Sequence, residues 1–333
     1  MINGRNVKIA LVCAVLCIGI AFPVFSQMPE IKDLSTSMDK FAEKLATTLP
    51  FNASMGLNWS NAYIGKFFPS LPPHFGIGIS SGFTTMEDST FSDLLKHFNV
   101  SFPDFVSGFG GFPLPGYALE ARLGGIFLPF DVGVKFGYLP LKPDYIDNLD
   151  YLLVGADVRF ALLEDKLIFP AVSVGVGFNH ISGGIGKSIG KKLTFSYEPG
   201  KSIEVDKPKV TVDWSTTTLD FKAQISKSLI ILTPYLGVGA SYGKSEAGYG
   251  VNTKKASIPE GEDIEAVKVI MKKYGIDNFD EKNGFSSRLE NDGWGFRTYA
   301  GLSFNIVIFR IDLTVLYNFA NSYGITLGTR LQI

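Results

Sequence analysis

The stretch Phe309-Arg310-Ile311-Asp312-Leu313-Thr314-Val315-Leu316-Tyr317-Asn318-Phe319 carries an apolar side chain at every odd position, with Arg310, Asp312 and Thr314 at even ones. A period of two over about ten residues is the signature of a strand with one apolar and one polar face. Working outward, Phe296, Thr298, Ala300, Leu302 and Phe304 oppose Arg297, Tyr299 and Asn305. The final strand places Tyr323, Ile325, Leu327, Thr329, Leu331 and Ile333 on one face.

The same plan recurs upstream. Tyr117, Leu119, Ala121, Leu123 and Phe127 oppose Glu120 and Arg122; Phe130, Val132, Val134, Phe136 and Tyr138 oppose Asp131 and Lys135. Leu152 to Phe160 set their even positions against Asp157 and Arg159, and Val172 to Phe178 theirs against serine, glycine and asparagine. Leu219, Phe221, Ala223 and Ile225 oppose Asp220, Lys222 and Gln224, and Leu236 to Tyr242 oppose glycines and Ser241. Phe75, Ile77, Ile79 and Phe83 mark an earlier strand.

Short turns near 128–130, 162–167, 226–229 and 305–308 alternate with long connections at 85–116, 139–150, 181–210 and 244–293. This rhythm predicts an all-β chain: a transmembrane, antiparallel, up-and-down β-barrel over residues 51–333. Ten strands are counted from Phe75 to Ile333. Pairing of Asn52 to Ile64 and Lys192 to Tyr197 into the sheet would make twelve, the favoured number in a range of 10 to 14.

Alternation alone also describes a soluble sandwich. Two features favour a lipid-facing barrel. Aromatic rings stand at both ends of the apolar face (Tyr117 with Phe127, Phe130 with Tyr138, Phe296 with Phe304, Phe309 with Phe319), as two membrane interfaces select. The pairs Glu120/Arg122, Asp157/Arg159, Asp220/Lys222 and Arg310/Asp312 each sit two residues apart, roughly 7 Å, on the polar face of a strand. A slip of one residue would push such charges into hydrocarbon at a cost of about 2–4 kcal/mol per midplane Arg or Lys. The expected lumen network is therefore Glu120, Arg122, Asp131, Lys135, Asp157, Arg159, Asp220, Lys222, Arg297, Arg310, Asp312 and Arg330.

The first 26 of 333 residues read as an address. Arg5 and Lys8 precede an uncharged run from Ile9 to Phe25, with Ser26 at the expected cut, the pattern of a secretory signal peptide. Both cysteines, Cys13 and Cys17, lie in that run, so a cleaved chain has no thiol for disulfides, metals or catalysis. Without Arg5 and Lys8, 29 basic face 32 acidic residues, which gives nucleic acid no electrostatic footprint.

Residues 27–50 read as an amphipathic helix through Ile31, Leu34, Met38, Phe41, Leu45 and Leu49, ahead of the first strand on the periplasmic side. It serves as a plug or hatch in the barrel, as a helix packed under it, or as a loose segment ahead of the barrel. Ser257-Ile258-Pro259-Glu260 resembles a capping box starting a second helix through Ile264, Val267, Ile270 and Tyr274. Phe102, Phe105, Phe109 and Phe112 make a greasy stretch among glycines and prolines. Together with Trp59 they are the candidate contacts of an apolar ligand, simple packing over the barrel being the alternative. His74, His97 and His180 stand far apart without a nucleophile or metal motif, so no enzyme, cofactor or metal is expected.

Two segments resemble a known family: Asn58-Trp59-Ser60-Asn61-Ala62-Tyr63-Ile64-Gly65, leading to the strand at His74, and Leu128-Pro129-Phe130-Asp131-Val132-Gly133-Val134-Lys135. They look like outer-membrane barrels related to the long-chain fatty acid transporter family. The resemblance implies a barrel with an N-terminal hatch and a path for hydrophobic compounds. The last strand is similar to the C-terminal signal read by the outer-membrane assembly machinery, with Ile333 where a terminal aromatic is usual. The expected function is passive uptake of a small hydrophobic compound across the cell outer membrane, in contact with membrane lipid. The rival is a closed structural or adhesin-type barrel acting through its loops.

Overall fold

The computed structural model describes residues 31–64, 74–86, 111–125, 129–139, 147–166, 168–188, 193–198, 201–207, 209–252, 256–257, 263–273, 278–280 and 284–333. The alternating segments become long strands: β1 (His74–Met86), β2 (Phe112–Gly124), β3 (Phe130–Tyr138), β4 (Asn148–Leu163) and β5 (Ala171–Ser188). After two short strands, β6 (Leu193–Glu198) and β7 (Lys201–Val205), come β8 (Lys209–Ser226), β9 (Leu232–Asn252) and the two-residue β10 (Ala256–Ser257). The chain closes with β11 (Asn278–Asp280), β12 (Gly284–Ile306), β13 (Phe309–Asn318) and β14 (Ser322–Gln332).

Every long strand pairs antiparallel with both neighbours. The order β12-β13-β14-β1-β2-β3-β4-β5-β8-β9 returns to β12 through Phe304 opposite Leu232 and Phe285 opposite Val251, so the sheet is a closed barrel of ten strands. The seam between first and last strands is complete: Phe75 and Ile333 exchange both backbone hydrogen bonds. Closure removes the edges at which an open sheet would aggregate.

The favoured count of twelve is thereby corrected to ten. Residues 52–64 form no strand, and 193–198 pair with β7 in a separate three-stranded sheet with β10. The rhythm of connections also departs from expectation at its end. The β13–β14 link, 319–321, is short although it lies at the end of the barrel where the other links are long. The strands β9 and β12 climb to 252 and down from 284, taking up much of the expected loop at 244–293.

Two helices are described. The first, α1 (Ile31–Ala53), runs through Pro50 and packs against the inner faces of β8, β9 and β12. The second, α2 (Ile264–Lys273), buries Val267 and Met271. Its cap is Asp263, whose Oδ1 accepts from the amide of Glu265, while Ser257 belongs to β10 instead of opening a capping box. Among the described residues no helix is long and apolar enough to cross a membrane.

Burial is inverted relative to a water-soluble body. On β2, Leu119 is 55% exposed and Arg122 1% exposed; the same contrast runs round the ring, with Phe136, Phe178, Val238, Phe296 and Val315 outside. At one edge of this apolar band Trp294 stacks with Phe221 and Phe296 and meets Tyr242; at the other Phe130 packs on Phe160. Beyond the Trp294 edge the outer face becomes charged, where Arg288 pairs with Asp213 and Glu246. At the opposite end, Lys227 Nζ bonds Asp165 Oδ1 at 2.5 Å and ties the β4–β5 turn to the β8–β9 turn. Burial alone would push the Asp165 carboxyl up, but hydrogen bonds from Lys227 and Ser228 hold it below its ordinary value.

Candidate functional site: a lumen filled by the N-terminal segment

The inward charges stand next to one another across the strands because the register is locked by the apolar face. Asp131 is opposite Arg159, and Gly133 separates Arg122 from Asp157. At this glycine an added Cβ would lie 2.5 Å from Asp157 Oδ1 and 2.6 Å from Arg122 Nη2, so the missing side chain is the space in which the guanidinium lies.

Ion pairs follow that layout. Asp131 accepts from Arg122 Nη1 and, in a two-pronged contact, from Arg159 Nε at 3.0 Å and Nη2 at 2.8 Å. Asp157 takes Arg122 Nη2 at 2.6 Å and Lys222 Nζ at 2.5 Å. Arg297 grips Asp220 through both terminal nitrogens at 2.7 and 2.8 Å, and Arg330 pairs with Asp312. The partners are thus on different strands. Spacing by two residues identified the shared face of Glu120/Arg122, Asp157/Arg159, Asp220/Lys222 and Arg310/Asp312, but none of these pairs forms a salt bridge within itself. Eleven of the twelve expected lumen residues are buried, and Arg310 is half-buried, bonding Asn305.

Of those twelve side chains, seven are basic and five acidic. Arg310 finds its acceptor in Asn305, whereas carbonyls of residues 53–64 take Lys135 and the remaining donors of Arg122, Lys222 and Arg159. Lys135 Nζ donates to the carbonyls of Ala53 at 2.7 Å and Met55 at 2.5 Å, where the C-terminal end of α1 presents its unsatisfied carbonyls and partial negative charge. The carbonyl of Leu57 receives Lys222 Nζ at 3.1 Å and Arg122 Nη2 at 3.3 Å. Those of Trp59 and Ser60 receive Gln224 Nε2, and that of Asn61 receives Arg159 Nη1 at 2.8 Å. Ser173 donates to the carbonyl of Ala62, whose amide donates to Ser226, and the Ile64 amide donates to Asp131 at 2.7 Å. These contacts come from β2, β3, β4, β5 and β8, and Arg330 on β14 donates to Ser60 Oγ at 2.8 Å from the other side, so the segment is enclosed by the ring.

The backbone bends to make them. Gly56 (φ 82°) and Leu57 (φ 56°) are consecutive left-handed residues, and they turn the Leu57 carbonyl between two cations. Trp59, a candidate ligand contact in the sequence, is only 3% exposed and anchors the filled lumen. Its Nε1 donates to Glu120 Oε2 at 2.5 Å, and its ring lies 4.7 Å from the Arg330 guanidinium carbon and 5.7 Å from that of Arg122. The ring rests over Gly76, where a Cβ would come within 2.5 Å of it. A small cavity remains beside Trp59 and Asn58 against Glu120, Asp312 and Arg330.

Phe102, Phe105 and Phe109 lie outside the described residues, and Phe112 is placed only as the strand residue opposite Met86. The two described histidines stand apart: His74 starts β1 beside the carbonyl of Ile333, and His180 meets Thr217 on β8, while His97 lies outside the described residues. The carbonyl ladder of 53–64 was missed in the sequence. Its available signals were the excess of inward cations over anions and the complete absence of charge from Leu45 to Ile64.

No curated protein matches the chain. Among solved structures it is similar to outer-membrane β-barrels. The translocator domain of the autotransporter NalP from Neisseria meningitidis shares 8% identity, with 89% of this chain and 97% of that one covered, at a TM-score of 0.35. The outer membrane protein Omp33 of Acinetobacter baumannii shares 9% over 78% and 98%, at 0.22. A FadL homologue of Pseudomonas aeruginosa shares 9% over 82% and 96%, at 0.25. A family model matches residues 125–333, which hold β3 through β14; the chain belongs to the family of unknown function DUF6588.

Proposed function

We propose that this protein is an outer-membrane barrel sealed by its own N-terminal segment, which works at its long-loop end and not through an open pore. The observation that carries the reading is the inverted burial together with a lumen occupied by residues 53–64. From Trp294 to Ile306 the outward side chains of β12 are apolar or small. At a rise of about 3.3 Å and a tilt of about 40° that run spans roughly 30 Å, enough to cover the ~25 Å apolar band of an outer-membrane barrel. Exposed to water, so large a continuous apolar surface would aggregate.

Ten strands make a narrow barrel, and this one spends its inward side chains on holding a polypeptide. That geometry favours the closed, loop-acting reading over passive uptake of a hydrophobic compound. In this reading β14, which completes the seam, is the strand recognised by the assembly machinery.

The test is membrane fractionation with heat-modifiable gel migration, followed by liposome swelling with the full chain. A heat-modifiable band in the outer-membrane fraction and no swelling are expected. Folded, monodisperse protein in buffer without detergent would remove the proposal. Swelling by the full chain would replace it with the uptake reading.

A further inference from the structure

We infer that the chain threads its own barrel from the long-loop end, so that the N-terminal end of α1 is presented at the cell surface. The inference rests on the outer-membrane reading for which side is outside, since outer-membrane barrels keep long connections at the surface and short turns in the periplasm.

The direction is set by contacts that descend in step. Pro50 lies against Gly243, where an added Cβ would come within 2.7 Å of its ring, at the charged edge of the apolar band. Asn52 bonds Thr84 and the carbonyl of Leu114, both at the long-loop ends of their strands. Leu57 then meets Lys222, Trp59 meets Gln224, and Ala62 meets Ser226, the last residue of β8 before its short turn. Ile64 meets Asp131, the second residue of β3. Residues 50–64 therefore run down the lumen towards the short turns, and β1 begins there.

Upstream of Pro50 the helix runs the other way. At about 1.5 Å per residue, the stretch from Ile31 to Leu49 is nearly 30 Å long. It packs against β9 and β12, which extend beyond the apolar band with Ser245, Ala247, Tyr249, Val251 and Ser287 buried on their inner faces. It also meets β6, part of the long connection between β5 and β8. Met38, Phe41, Leu45 and Leu49 face protein while Lys40, Glu43 and Thr47 face solvent. The expected periplasmic placement of the helix is thus reversed, and the barrel becomes an anchor that displays whatever lies at the start of α1 beside its long loops.

The sequence offers a clean test, because residues 27–333 hold no cysteine. Lys40→Cys and Glu43→Cys report on α1, Glu265→Cys on the long-loop end and Ile230→Cys on a short turn; each is exposed. Intact cells are treated with a bulky, membrane-impermeant maleimide before and after outer-membrane permeabilisation, and folding of each variant is checked by heat-modifiable migration. Labelling of both α1 positions in intact cells to the level of Glu265→Cys, with Ile230→Cys labelled only after permeabilisation, is the expected result. If Glu265→Cys labels in intact cells but neither α1 position does, threading is overturned while the outer-membrane reading stands. If Glu265→Cys itself needs permeabilisation, the outer-membrane reading fails and takes the inference with it.

Discussion

Asp131 is where two walls of the barrel and the inner segment meet. Its two oxygens receive Arg122 from β2, Arg159 from β4 and the backbone amide of Ile64. Replacing it with asparagine keeps the volume and removes the one charge that both guanidiniums share. Breaking a buried ion pair from one side costs about 3–5 kcal/mol, because the remaining charge is left in a medium that solvates it poorly. Asp131→Asn should lower the denaturant midpoint of the folded barrel in detergent or lipid by an amount of that order. Asp165→Asn removes a pair that is partly open to water and should cost less than ~1 kcal/mol. Equal midpoints for the two variants would mean that water reaches the lumen network freely. The pairing itself was not legible from the sequence, since a spacing of two residues says which face a charge occupies and nothing about its partner across the sheet.

At the scale of elements, the faces of all ten wall strands could be read in advance, because lipid outside and polypeptide inside demand opposite side chains every second residue. The turns were harder, since their residues disobey the usual chemistry. Leu229 and Leu232 exchange hydrogen bonds of 2.6 Å across a two-residue hairpin whose first central residue, Ile230, has φ 38°; Val307 has φ 56° in the β12–β13 turn. Glycine is the ordinary occupant of such a position, and a β-branched residue there is strained by roughly 1–2 kcal/mol. Val307 is nearly fully exposed and so gains little from packing within the chain. Val307→Gly should therefore raise the unfolding midpoint by the equivalent of about 1 kcal/mol. A fall instead would show that the side chain is held by lipid or by a partner at the short-turn end. Asn321, at φ 62° in the β13–β14 turn, is a residue type that tolerates this conformation, and its replacement by glycine should change little.

For the molecule as a whole, the missing piece was the inner segment. Residues 52–64 can be counted towards twelve strands in a sequence, although three asparagines, two serines and a glycine disfavour a strand there; the excess of cations on the wall adds that an uncharged, carbonyl-rich chain belongs inside. That excess makes a prediction about the emptied barrel. Removing residues 31–49 deletes most of α1 but leaves the carbonyls of 53–61 on Lys135, Arg122, Lys222 and Arg159, so the lumen stays blocked. Removing residues 31–64 strips those acceptors away and lets water replace them, leaving seven basic and five acidic side chains to line the passage. In planar bilayers the shorter deletion should show no conductance. The longer one, where it yields a heat-modifiable fold, should conduct with a reversal potential displaced towards that of the anion in a salt gradient, because rings of Arg and Lys favour anions. Conductance by the shorter deletion would place the block in α1 and not in the carbonyl ladder, and cation selectivity of the longer one would mean that the wall carboxylates, not the unmatched cations, govern the lumen.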